Sequence, residues 1–98
     1  MECTETGHAA ERLKERLGAT KDSAHRIAQN ALDRGMWHSE ARGGFKRYLD
    51  SLYLSHRVAA NMRIYRDAVF LFDAACRLIT VVPLPRKYRD LAKRAREE

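Results

Sequence analysis

The chain has 98 residues, 45% of them apolar and 33% charged, and a formal net charge of +6. That size supports one domain around one modest core. No apolar run approaches the roughly 18–20 residues of a membrane span, and the opening MECTETGHAAERLKERLG carries acids early and lacks an apolar h-region, so neither a membrane partner nor a secretory signal is expected.

Residues 1–7 are expected to form a flexible N-terminus, ahead of a single α+β domain over residues 8–98. From His8 to Leu17 the spacing of Ala10, Leu13 and Leu17 suits one helix face, and Gly18 is a natural stop. Thr20 is a good N-cap for a second helix over Lys21–Arg34, whose stripe of Ala24, Ile27, Ala28, Ala31 and Leu32 is built mostly from small residues. A stripe of that kind allows close approach, so this helix should lie tight against a neighbour until Gly35 ends it. Trp37 is expected to plug the core between helices. Ser39 is the expected N-cap of a third helix, although Gly43-Gly44 favour a later start or a close packing contact. Phe45, Leu49, Leu52 and Tyr53 give that helix an apolar face, with Leu54 joining at its end.

The stretch Asn61–Pro85 holds three runs rich in β-branched and aromatic residues, Met62–Tyr65, Ala68–Phe72 and Arg77–Val82. Arg66-Asp67 and then Asp73–Cys76 separate them as turn candidates, the pattern of an antiparallel meander. Ala68–Phe72 does not alternate, so it should be covered on both faces. The third run places Leu78, Thr80 and Val82 on one face and Ile79 and Val81 on the other, until Pro83 and Pro85 end it. The tail RKYRDLAKRAREE reads as a basic helix docked through Tyr88, Leu91 and Ala95. The expected architecture is therefore α+β, with two to three N-terminal helices on a three-stranded antiparallel β-meander and a basic C-terminal helix.

Charge is unevenly placed. Residues 1–40 carry six Lys/Arg against seven Asp/Glu, and residues 41–98 carry thirteen against six. A basic half points to nucleic acid or to an acidic protein surface. Arg42, Lys46, Arg47, Arg57, Arg63, Arg66, Arg86, Lys87, Arg89, Lys93 and Arg94 supply the cations, and Tyr65, with Tyr48, Tyr53 and Tyr88, could stack on unpaired bases. Cys3 and Cys76 have no Cys-x-x-Cys spacing, which suits a reduced cytoplasmic protein with two ordinary thiols. No histidine or acidic spacing fits a metal motif, and Gly43-Gly44 lack the spacing of a phosphate loop, so neither metal nor cofactor is expected.

The run Asn61-x-Arg63-Ile64-Tyr65, with Val69-Phe70-Leu71-Phe72 and Leu78-Ile79-Thr80-Val81-Val82-x-Leu84-Pro85, resembles a group of small phage and prophage proteins. His38-Ser39-Glu40-x-x-Gly43 and Lys46-Arg47-Tyr48-Leu49 also look like that group. The resemblance implies a bacterial host cell as the setting. It settles no activity; the basic half and the tyrosines among its cations point to a partner among nucleic acids, RNA ahead of DNA, or an acidic surface of a host protein or ribonucleoprotein. Inhibition of a bacterial defence system, of the anti-CRISPR kind, is one concrete form, by a monomer or homodimer. A structural or oligomerising phage protein is another, and an exposed apolar sheet face would support it.

Helices followed by an antiparallel sheet are also similar in element order to the barnase–colicin–RelE group of metal-independent ribonucleases. That chemistry needs a proton-transfer group and cations around the phosphate. His38, Arg42 and Lys46 recur at i, i+4, i+8 and would share a stripe on a continuous helix, with His38 as the catalytic residue. Binding without catalysis is the leading expectation and ribonuclease action the alternative.

Overall fold

The computed structural model describes residues 3–56 and 59–97, with all their side chains except those of residues 21 and 93–97. At its centre lies the expected meander, strands β3 (Asn61–Tyr65), β4 (Ala68–Phe72) and β5 (Arg77–Pro83). Every residue of β4 is buried. Its side chains alternate between two cores, with Ala68, Phe70 and Phe72 in one and Val69 and Leu71 in the other. An unbroken apolar run is what a strand covered on both faces requires.

The alternation expected along β5 does not hold. A bulge shifts the register between Leu71 and Phe72, so that Phe72 pairs with Leu78 and Leu71 with Thr80. The extra residue moves Leu78 onto the same side as Val81, both in the core that holds Phe70. Val82 packs against the opposite core. One inserted residue is enough to exchange faces in a structure of period two.

The sheet is also wider than the meander. It has five strands in the order β1-β5-β4-β3-β2, where β1 is Thr4–Glu5 and β2 is Met36–Trp37. Strand β1 runs parallel to β5 and β2 antiparallel to β3, so the sheet is mixed. From Cys3 onward the segment expected to be flexible pairs with β5 and α2. The Cys3 amide donates to Gln29 Oε1 at 2.8 Å, and the Cys3 side chain is fully buried.

Helices α1 (Gly7–Leu17) and α2 (Lys21–Arg34) cover one face. Helix α1 begins on the Thr6 side chain, which accepts from the Ala9 amide at 3.1 Å. It ends in a left-handed cap, with Gly18 at φ +64° donating its N–H to Lys14 O at 3.1 Å and Ala19 N–H donating to Leu13 O at 3.3 Å. A Thr20–Ser23 capping box starts α2. The stripe of small residues is buried as expected, and Gly35 closes the helix hard against β3. A Cβ at Gly35 would lie 2.4 Å from Ala31 O and 3.0 Å from Arg63 Cβ.

Helices α3 (Gly43–Ser55) and α4 (Arg86–Glu97) cover the other face. Helix α3 does not begin at Ser39. His38–Glu40 form a separate 3-10 turn, Arg42 is extended at φ −137°, and Gly43 enters the helix at φ +61°, where a residue with a Cβ would be strained. Phe45 and Leu49 are buried, while Leu54 is 77% exposed and does not join the face. Helix α4 docks through Tyr88 and Ala92, not Leu91, which faces out; Ala95 lies outside the described side chains. Helices α2 and α3 therefore sit on opposite faces of the sheet, which rules out a helix-turn-helix built from them. Trp37 is half exposed at the β2 edge and plugs no core. Among the described residues no helix is long and apolar enough to cross a membrane.

Candidate nucleic-acid interface

The cationic residues singled out by sequence fall into separate places. Arg42, Lys46 and Arg47 are exposed at the start and on the outer side of α3, and Arg86, Lys87 and Arg89 are exposed on α4. Lys93 and Arg94 continue α4 but their side chains, like all of Arg57, lie outside the described residues. Arg63 leaves the list of surface cations. It is buried under α2's end, with Nη1 donating to Gly35 O at 3.4 Å and Nε to Asn61 Oδ1 at 3.3 Å. Burial lowers its pKa, and the nearby carboxylates of Asp33 and Glu40 act the other way.

His38, Arg42 and Lys46 share no helical stripe, because the chain is extended at Arg42 and only Lys46 lies within α3. His38 instead packs back on α3. Its Nε2 meets Asp50 Oδ1 at 2.7 Å and its ring stands edge-on to Tyr53, with centroids 5.0 Å apart. Burial, and then the Asp50 charge, raise the Tyr53 pKa, which keeps its hydroxyl protonated.

The tyrosines expected to stack on bases are largely engaged already. Tyr88 stacks between Phe45 at 5.4 Å and Tyr48 at 5.2 Å, an aromatic column that holds α4 on α3. Tyr65 packs edge-on against Phe70, while the Arg66 guanidinium lies 5.6 Å from its ring centroid. What is left for a ligand is charge rather than aromatic surface.

That charge converges at the end of the sheet. Arg16 and Leu17 from the last turn of α1, Arg66 and Asp67 from the β3–β4 turn, Pro83 from β5 and Arg89 from α4 line a cleft of about 190 Å³. The cleft crosses from one helical layer to the other over the hairpin tip. Leu84 N–H donates to Asp67 O at 2.9 Å, and Arg89 Nε donates to Leu84 O at 3.1 Å, so the hairpin, the β5–α4 connection and Arg89 are fixed to one another. Among the described residues that line it, Asp67 is the one carboxylate beside three arginines. The volume lies below the roughly 300–1,000 Å³ of sites that enclose whole small molecules, and suits a single anionic group such as a phosphate.

Arg66 and Arg89 were legible as candidates, and Arg16 was not. It lies in the nearly neutral half of the chain. Its only signal is a position in the last turn of a helix beside Lys14, where cations are ordinary partners of the dipole.

One further group of side chains has converging ligand atoms. Cys3 just ahead of β1, Glu5 in β1 and His25 in α2 bring a sulfur, a carboxylate oxygen and an imidazole nitrogen within 4.8 Å of one another. Burial pushes the Cys3 thiol up to about 11, and the Glu5 charge adds to the rise, which is the reverse of what a nucleophile needs.

Comparison with protein-family models, curated proteins and solved structures finds no match.

Proposed function

We propose that the protein binds the sugar–phosphate backbone of nucleic acid, RNA ahead of DNA, and that Arg16, Arg66 and Arg89 seat one phosphate in the cleft between α1 and α4. The observation that carries this reading is that arginines from three separate elements line one small cleft. A second supports it. Arg66 sits at φ +50° in a two-residue hairpin turn, a position that asparagine or glycine fills with least strain. A locally poor residue that places a charge at a cleft is the pattern expected where function overrides local preference. Within the phage setting implied by the resemblance, such binding would let the protein occupy the nucleic-acid path of a host complex. The oligomerising alternative lacks its expected support, since helices cover both faces of the sheet.

The test is fluorescence anisotropy with labelled single-stranded RNA, duplex RNA and DNA across a salt series. Log affinity should fall against log salt with a slope of at least about −0.7 in magnitude for single strands, the value for one neutralised phosphate. Arg16→Gln combined with Arg66→Gln should weaken binding at least tenfold. No anisotropy change with any nucleic acid at low salt would defeat the reading and turn attention to an acidic protein surface.

The ribonuclease alternative draws on the His38–Asp50 pair, since a carboxylate that orients an imidazole is a common arrangement for proton transfer. It expects RNA cleavage in EDTA, with DNA left intact, reduced on the order of 10²–10⁴-fold in His38→Ala. Intact RNA between pH 5 and 9 counts against it.

A further inference from the structure

His25 lies twenty positions beyond Glu5, and no ligand motif joins it to Cys3 and Glu5. The fold unites them at the free edge of the sheet. Cys3 and Glu5 flank Thr4 in β1, and His25 projects from the first half of α2 beside them. His25 Nδ1 lies 3.2 Å from Glu5 Oε2. The three side chains differ in exposure in a graded way, from a fully buried Cys3, through a Glu5 side chain 19% exposed, to a His25 side chain 46% exposed.

We infer that Cys3, Glu5 and His25 form a binding site for a zinc-class divalent cation. Tetrahedral zinc holds sulfur at about 2.3 Å and nitrogen or oxygen at about 2.0–2.2 Å, so its ligand atoms stand roughly 3.3–3.7 Å apart. Side-chain rotation closes the difference from the observed separation of no more than 4.8 Å. The donor set is also right for the ion. A thiolate and an imidazole select zinc over magnesium or calcium, which take oxygen cages. Binding displaces the Cys3 proton to solvent, and the resulting thiolate with one carboxylate offsets the two positive charges of the ion, so the site becomes neutral where it is least exposed to water. Three protein ligands leave the fourth position to solvent, on the side where His25 is open.

The consequence is mechanical. Strand β1 has only two residues in register with β5, Thr4 with Arg77 and Glu5 with Leu78. A metal bridging β1 to α2 would clamp that short strand to a long helix, and binding to the folded state alone would raise stability by mass action.

Cobalt is the probe, since tetrahedral Co²⁺ reports its geometry in visible absorption and its thiolate ligand in a near-ultraviolet charge-transfer band. Titration of the reduced full chain under a non-thiol reductant should give one equivalent of bound cobalt with both signatures, displaced by zinc. Zinc should raise the melting temperature by several degrees. Cys3→Ser should abolish the charge-transfer band, and circular dichroism will show whether it still folds. His25→Ala, on the open side of α2, leaves the core untouched and should weaken cobalt binding at least tenfold; His8→Ala should leave it unchanged. Absence of the charge-transfer band in the wild-type chain, or a wild-type spectrum and affinity in His25→Ala, would overturn the inference.

Discussion

The Arg63 guanidinium carbon lies 3.2 Å from the centroid of the Trp37 ring, and the two residues face each other across the β2–β3 register. The ring covers a cation that is only 5% exposed, and Gly35 gives it room and a carbonyl to bond. A desolvated cation–π pair of this kind is worth about 2 kcal/mol. Trp37→Ala should therefore lower stability by about 1–2 kcal/mol in urea unfolding, a large loss for a half-exposed side chain. Gly35→Ala should cost about 1–3 kcal/mol through the clash with Ala31 O. A midpoint unchanged in Trp37→Ala would show that the pair contributes nothing to stability.

The central strand supplies a sharper test. Phe70 is fully buried and its ring meets Tyr65 edge-on. Phe70→Ala should cost about 3–5 kcal/mol, a large part of what a domain of this size possesses. Denaturant unfolding monitored by circular dichroism reads this directly, and a loss below 1 kcal/mol would contradict the packing.

Asp73 makes the β4–β5 turn sensitive to acid. Its carboxylate accepts from the amides of Ala75 and Arg77, each at 2.9 Å, and from Arg77 Nε at 3.1 Å. The Arg77 amide is the largest of the influences that hold its pKa below the ordinary carboxylate range. A pKa lower in the folded state means stability that is fully present above the unfolded value of about 3.9 and is lost as pH falls through the folded value. Asp73→Asn should be less stable than wild type at neutral pH, and the difference should shrink as the pH drops below about 4. Thermal melts at stepped pH would record it, and parallel curves for the two proteins would contradict it.

The β3–β4 turn should separate stability from binding. Arg66 and Asp67 are both left-handed, at φ +50° and +58°, and neither is glycine. Arg66→Asn should gain roughly 0.5–1 kcal/mol by relieving backbone strain. The same change removes a guanidinium from the cleft and should weaken nucleic-acid binding several-fold. A variant that melts higher and binds as well as wild type would detach Arg66 from the proposed function.

The meander was legible because runs of β-branched and aromatic residues are bounded by polar pairs, and because Ala68–Phe72 offers no polar side to solvent. The two edge strands were not. A strand of two residues has no period to detect, and each exists only because the meander gives it an edge to pair with. The bulge at Leu71–Phe72 was equally hidden, since local sequence does not reveal which of two adjacent residues the ladder will skip. For the candidate site, Arg66 could be placed in a turn and Arg89 on a basic helix. Their meeting with Arg16 depends on where α1 ends relative to the hairpin. The stripe of His38, Arg42 and Lys46 failed for a local reason, the left-handed turn that Gly43 permits just ahead of α3. Arg63 looked like a surface cation because a buried arginine needs partners that only the fold supplies.

The parallel pairing of β1 with β5 ties the order of assembly to the order of synthesis. Glu5 is made well ahead of its partner Leu78, which follows seventy-three positions later. At about 5–20 residues per second, the first strand waits roughly 4–15 s for the backbone it will pair with. Throughout that interval the Cys3 thiol has no sheet to shelter it. The seam between β1 and β5 is therefore a joint that the ribosome leaves open until the whole meander has been made.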